Sequence, residues 1–110
     1  MDWSWSPHDD PAYFVAERHA EALTRAATRA LRAGHFATAN SLLRRRVRLA
    51  TPPAPAELAL GALAASLAGS PIDAEKALNR ALAADAFDPT VTLIALRLAQ
   101  TPRERSDAAR

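Results

Sequence analysis

Residues 55–89 read PAELALGALAASLAGSPIDAEKALNRALAADAFDP, and residues 20–54 read AEALTRAATRALRAGHFATANSLLRRRVRLATPPA. Laid over one another at a shift of 35, Leu23 falls on Leu58, Ala27 on Ala62, Ala30 on Ala65, Gly34 on Gly69, Ala39 on Ala74 and Leu43 on Leu78. A third, partial copy brings Leu93 onto the register of Leu23 and Leu58. Each unit runs long segment, glycine, shorter segment, proline-bearing link. A period of that length marks one supersecondary unit that buries its apolar face against its neighbours.

Punctuation around the repeat predicts helices. Asp10-Pro11, Ser70-Pro71 and Asp88-Pro89 each pair a good N-cap with proline at the first helical position, where the missing N–H has no partner to lose. Asp73 follows Ser70 at capping-box spacing. Gly34 and Gly69 stand where a left-handed C-cap wants glycine. Thr51-Pro52-Pro53-Ala54-Pro55 is a link, because its prolines break a helix, and Thr101-Pro102 closes the last element. Five helices are expected at about 11–33, 36–50, 55–68, 71–84 and 89–100. The division is a flexible Trp-containing tail at 1–10, a helical domain at 11–101 and a disordered polar tail at 102–110.

Composition agrees with an all-α chain. The 110 residues suit one domain, and 28 alanines and 14 leucines stand against five Val and Ile together. Ala and Leu lose little in helices, whereas sheets prefer β-branched residues. The absence of cysteine excludes disulfides, thiolate metal sites and a thiol nucleophile. No basic and apolar leader opens the sequence, and every 18-residue window holds a charge or a proline. No membrane is therefore expected as a partner, and residence in the cytoplasm is the default expectation. Thirteen arginines to one lysine, beside so much alanine and proline, points to a GC-rich bacterial genome. Residues 17–50 carry a net charge of +6 and residues 51–90 one of −3, a dipole able to steer an acidic partner or to orient self-association.

The repeated residues resemble the tetratricopeptide repeat (TPR). A small residue in the first helix, the turn glycine, an early alanine in the second helix, a large apolar residue four later and a proline fall at Ala27, Gly34, Ala39, Leu43 and Pro52. They fall again at Ala62, Gly69, Ala74, Leu78 and Pro89. The resemblance covers residues 20–100. It implies a short right-handed helical-hairpin solenoid of about two and a half 35-residue repeats, whose first helices line a concave groove for a protein segment. By repeat position the partner-binding groove would be Thr24, Thr28 and Leu31, then Ala59, Leu63 and Ser66, then Val91, Ile94 and Leu98. Departures are visible: leucine and alanine replace the family's aromatics, Arg46 stands where a second-helix alanine belongs, and Arg97 and Gln100 replace small or apolar residues. The pentatricopeptide repeat is the alternative, but its base-reading positions would be Thr24, Ala59 and Ile94, two of which cannot hydrogen-bond. TPR domains that grip a terminal carboxylate use Lys, Asn and Arg in the groove, and only Arg32 answers here.

Other candidate chemistry is sparse. His8, Asp9 and Asp10 cluster, with His19 further along, but convergence of three or four ligands is needed for a metal, and Asp10 reads as a cap. No metal, no cofactor and no catalytic residues are expected: the acids fall at helix starts or in ion-pair spacing, and the glycines are isolated. At 100° per residue Arg18, Arg25, Arg29 and Arg32 form a stripe about 60° wide. With Arg44, Arg45 and Arg48 they form a basic patch, Arg46 crowding beside them. That patch is either a solvated face or a phosphate-binding surface, and it lacks interleaved aromatics for stacking. Trp3 and Trp5 either cover the first helix or anchor a partner. The segment 91–99 is apolar nearly all round. The repeat assigns Leu93 inward, which leaves Val91, Ile94 and Leu98 to be covered either by the chain's own tail or Trp segment or, as expected here, by a second copy or a partner's apolar segment.

The expectation is a protein-binding adaptor or chaperone, with another protein or a second copy of itself as partner. A nucleic-acid-associated protein using the arginines is the alternative.

Overall fold

The structure is a computed structural model in which the backbone of residues 11–108 and the side chains of residues 17–100 are described. Five helices follow one another: α1 (Pro11–Arg32), α2 (Phe36–Val47), α3 (Pro55–Leu67), α4 (Pro71–Ala84) and α5 (Pro89–Ala108). There is no strand among the described residues. Each of α2, α3, α4 and α5 begins with or beside the residue that the caps and prolines predict. α2 ends at Val47, three residues early, because Arg48 and Leu49 donate back to the carbonyls of Arg45 and Arg46, tightening the exit. α5 corrects the expected stop at Thr101-Pro102 and the unstructured tail after it. Pro102 takes away the N–H that would bond to Leu98 and crowds that carbonyl, but the strong helix formers Arg103, Glu104 and Arg105 beyond it carry the helix to Ala108.

Gly34 and Gly69 close the first helix of each hairpin in the same way. Their φ angles are +80° and +87°, which L side chains rarely adopt. His35 N–H donates to Ala30 at 2.8 Å and Gly34 N–H to Leu31 at 3.1 Å; Ser70 N–H donates to Ala65 at 2.8 Å and Gly69 N–H to Ser66 at 3.1 Å. These are two Schellman caps 35 residues apart, each turning the chain back into an antiparallel partner.

α1 packs on α2 and α3 on α4, while α3 also touches α2 and α5. α3 is the central helix, and Leu58, Ala59, Ala62, Ala64 and Ala65 are all buried along it. Among the described residues nine of the fourteen buried apolar ones are alanines, so the helices meet with little side chain between them. One cluster joins Ala27, Ala39, Leu43 and Ala64; another joins Leu58, Ala59, Ala81, Val91 and Ile94, with Leu98 against it.

The second cluster reverses the expectation for the last helix. Val91 (0% exposed) and Ile94 (6%) are core, and Leu93 (68%) and Leu96 (58%) face outward. Leu58, the repeat-equivalent of Leu93, shares its cluster with Ala81 of the hairpin partner α4. No sixth helix follows α5 among the described residues. Leu93 therefore has no partner helix to cover it, and α5 docks through its other face.

Candidate protein-binding site

The groove expected along the first helices does not form as one surface. Ala59, Val91 and Ile94 are spent on the core, and Leu31, Leu63 and Leu98 are half-buried against it. Ser66 is half-buried, its carbonyl occupied by the Gly69 turn. Thr24 and Thr28 line a concavity, together with Arg25, Arg29, Arg32, Glu21 and Glu57. Their hydroxyls are already engaged: Thr28 Oγ1 donates to the Thr24 carbonyl at 2.9 Å, and Thr24 Oγ1 donates to the Glu57 carboxylate.

A different cleft opens on the opposite helices. Its walls are α2 and α4, and its floor is α3. Leu43, Val47, Leu58, Ala65 and Ala77 supply apolar surface, with Gly61 in the floor. A Cβ on Gly61 would meet nothing within 4 Å, so this mid-helix glycine leaves open volume above itself. The cleft holds about 330 Å³, against the roughly 150 Å³ that accommodates a benzene ring. Arg44, Arg48, Lys76 and Arg80 stand around it, with Asp73 as the single carboxylate. Arg44 Nη2 donates to Asp73 Oδ2 at 3.1 Å and so straps α2 to α4 at one end. Both side chains are about half exposed, 58% and 43%, which makes the strap worth under about 1 kcal/mol and easy for an incoming carboxylate to displace.

The basic patch divides between these two concavities. Arg25, Arg29 and Arg32 lie beside Glu21 and Glu57, and Arg25 is 3.7 Å from Glu21 across one helical turn. Arg44 and Arg48 belong to the cleft. Arg18 and Arg45 are exposed but line neither.

Arg46 does not belong to the exposed basic patch; it is 4% exposed. Its Nε and Nη2 donate to the two carboxylate oxygens of Glu57 at 2.8 and 3.1 Å. Nη1 donates to the Thr51 carbonyl at 2.9 Å and Nη2 to the Pro52 carbonyl at 3.2 Å. The guanidinium thus ties the end of α2, the proline link and the first turn of α3 into one unit, a bidentate use that suits arginine's planar fork. Glu57 also accepts from the Ala54 N–H at 2.9 Å, capping α3 where the Ala54 side chain offers no acceptor. Burial pushes the Glu57 carboxyl up, but the hydrogen bonds from Arg46, Thr24 and Ala54 and the Arg46 charge together hold it below its ordinary value. Sequence reasoning placed Arg46 on the basic surface and Glu57 at a helix dipole. The available signal was one repeat departure, an arginine where alanine belongs, with a glutamate eleven residues later at the start of the next helix.

A second surface sequence reasoning passed over is the link between α4 and α5. Phe87 is 93% exposed, forgoing about 1.5–3 kcal/mol that its burial would give. The link around it is tied at both ends. Asp85 Oδ1 accepts from the Phe87 N–H at 3.0 Å, and Asp88 Oδ1 accepts from the Thr90 and Val91 N–H groups at 2.9 and 3.1 Å. Ile72 is also exposed, at the start of α4.

The expectations for Trp3, Trp5, His8, Asp9 and Asp10 lie outside the described residues. Among the described residues no group of three histidines, aspartates or glutamates comes together to hold a metal ion, and no helix is long and apolar enough to cross a membrane. The chain matches no protein family, no characterised protein and no solved structure.

Proposed function

We propose that this chain is a protein-binding adaptor or chaperone built of TPR-like hairpins, and that it takes an acidic, amphipathic segment of a partner in the α2–α4 cleft. The cleft is the observation that carries the reading: apolar floor, cationic rim, and volume for at least one large side chain. An apolar residue of the segment would sit on Leu43, Val47 and Leu58, and its flanking carboxylates would meet Arg48, Lys76 and Arg80. Such a pattern follows the general rule that apolar anchors give affinity and rim charges give selection and encounter rate. The two equivalent glycine caps and hairpins support the TPR-like architecture, with one difference from what the resemblance implies. Here the cleft is walled by the second helix of each hairpin.

Titration with a synthetic helix carrying leucines on one face and glutamates on the other tests the proposal. Micromolar binding is expected, lost when lysine replaces each glutamate and lost in Gly61→Leu, whose side chain would occupy the cleft. Equal binding of the acidic and basic helices, or binding untouched by Gly61→Leu, overturns it.

A further inference from the structure

The cleft has a complement on the same chain, and the complement is unoccupied by anything of its own. Phe87 projects from the α4–α5 link with 93% of its surface in solvent. Asp85 and Asp88 flank it, and no cation occurs between Arg80 and Arg97. Its presentation is fixed rather than incidental. Asp85 turns back onto the Phe87 N–H, Asp88 caps α5, and Thr92 Oγ1 donates to the Asp88 carbonyl at 3.0 Å. An aromatic ring framed by two carboxylates is thus held away from its own domain. The cleft offers the reverse: apolar Leu43, Val47 and Leu58 framed by Arg48, Lys76 and Arg80, in a volume of about 330 Å³. A benzene ring fits in less than half of that.

Resting on the reading of the cleft as a segment-binding site, we infer that its occupant is the Phe87 link of a second copy of this chain. The ring enters the cleft of its neighbour, and Asp85 and Asp88 face the neighbour's Arg48, Lys76 and Arg80. Two different surfaces meet, so the contact is heterologous. It either repeats into a chain of copies or closes when two copies exchange links. Opposite charge on the two halves of the molecule, +6 over residues 17–50 and −3 over residues 51–90, steers the copies into this orientation.

Sedimentation velocity on the full chain from about 10 µM to 1 mM tests the inference. Wild type is expected to associate with concentration, and less so as salt rises. Phe87→Ala removes the plug, and the double variant Arg48→Glu, Arg80→Glu spoils the cleft. All three residues are exposed, so helical dichroism should not change. Each variant alone should associate about tenfold or more weakly than wild type. Mixed together, they should form a 1:1 pair that grows no further, because one supplies a cleft and the other a plug. A strictly monomeric wild type at about 1 mM overturns the inference. So does association that survives Phe87→Ala, or a mixture of the two variants that fails to pair. The Phe87→Ala chain titrated with the acidic amphipathic helix separates the two proposals. If it binds that helix while wild type stays monomeric, only the homotypic contact fails; if it does not bind, the cleft reading fails as well.

Discussion

Two links join successive hairpins, and they hold by opposite means. Between α2 and α3 a buried arginine collects the chain: Arg46 reaches Thr51, Pro52 and Glu57, and every donor it offers there is directed at an oxygen. Between α4 and α5 the repeat-equivalent residue is Ala81, fully buried against Val91 in an apolar cluster. A small side chain lets α5 come down on the α3–α4 pair directly and permits a link of four residues, whereas the first link spans seven. The polar link is inward-facing and complete; the apolar one turns Phe87 out. The repeat thus sets where helices turn, while the residue at the junction decides whether a link is locked or left available.

The largest effect is expected from unlocking the first link. Arg46→Ala leaves Glu57 partly buried with its strongest partner gone and should cost about 3–5 kcal/mol, read by urea denaturation. Replacing both partners, Arg46→Leu with Glu57→Leu, should cost far less, since no charge is then stranded. Acid provides an independent handle. Because the folded Glu57 carboxyl lies below its unfolded value of about 4.3, its contribution is complete above that pH and disappears as pH falls through the depressed folded value. Glu57→Gln should flatten the loss of melting temperature in that window. A Glu57→Gln chain as acid-sensitive as wild type would mean the lock is not what acid opens.

The second link predicts a contrast along one helix. Ile94→Ala should cost about 2–4 kcal/mol, because Ile94 is 6% exposed against Leu58 and Ala59. Leu93→Ala, at 68% exposure, should lie within about 0.5–1 kcal/mol of wild type. The reverse order in thermal melts would restore the register that the repeat alone suggested.

That register shows where the sequence could be read and where it could not. Glycine, proline and cap positions are local signals, and they located all five helices and both hairpin turns. The 35-residue shift also grouped Leu23, Leu58 and Leu93 as one inward set. For the first two this holds, at 6% exposure each. It fails at Leu93 because burial there depends on a helix beyond α5, and periodicity within α5 carries no information about its neighbours. The same limit applies to the groove expected along the first helices, which does not form as one surface. Alanine at so many core positions brings helices close enough that Ala59, Val91 and Ile94 close on one another, which depends on packing distance and not on pattern. The cleft had one legible trace, Gly61, a glycine in the middle of a helix with no turn to make. Arg46 was legible only as a departure from the repeat and Glu57 only as an acid at a helix start, since their meeting requires the link to fold back between them.

The smallest effect separates two caps that sequence treats alike. Ser70-Pro71 and Asp88-Pro89 are the same punctuation, yet the side chain of Ser70 makes no capping hydrogen bond, whereas Asp88 Oδ1 takes two backbone N–H groups of α5. The difference follows from what precedes each. Ser70 N–H is drawn back to Ala65 by the glycine cap of α3, and its backbone sits at φ −114°, ψ 74°, away from the extended region from which a capping side chain reaches forward. Asp88 N–H is drawn back only across its own short turn, to the Asp85 carbonyl at 3.4 Å, and the Asp88 side chain still reaches forward to cap. Asp88→Ala should therefore cost about 1 kcal/mol and Ser70→Ala only a few tenths, measured side by side by chemical denaturation. Equal losses would show that Ser70 caps α4 in solution, and with it that the turn after α3 is looser than its twin after α1. Since Asp88 holds the first N–H groups of α5, the Asp88→Ala loss should also appear as faster amide exchange at Thr90 and Val91, with the α1–α2 hairpin unchanged.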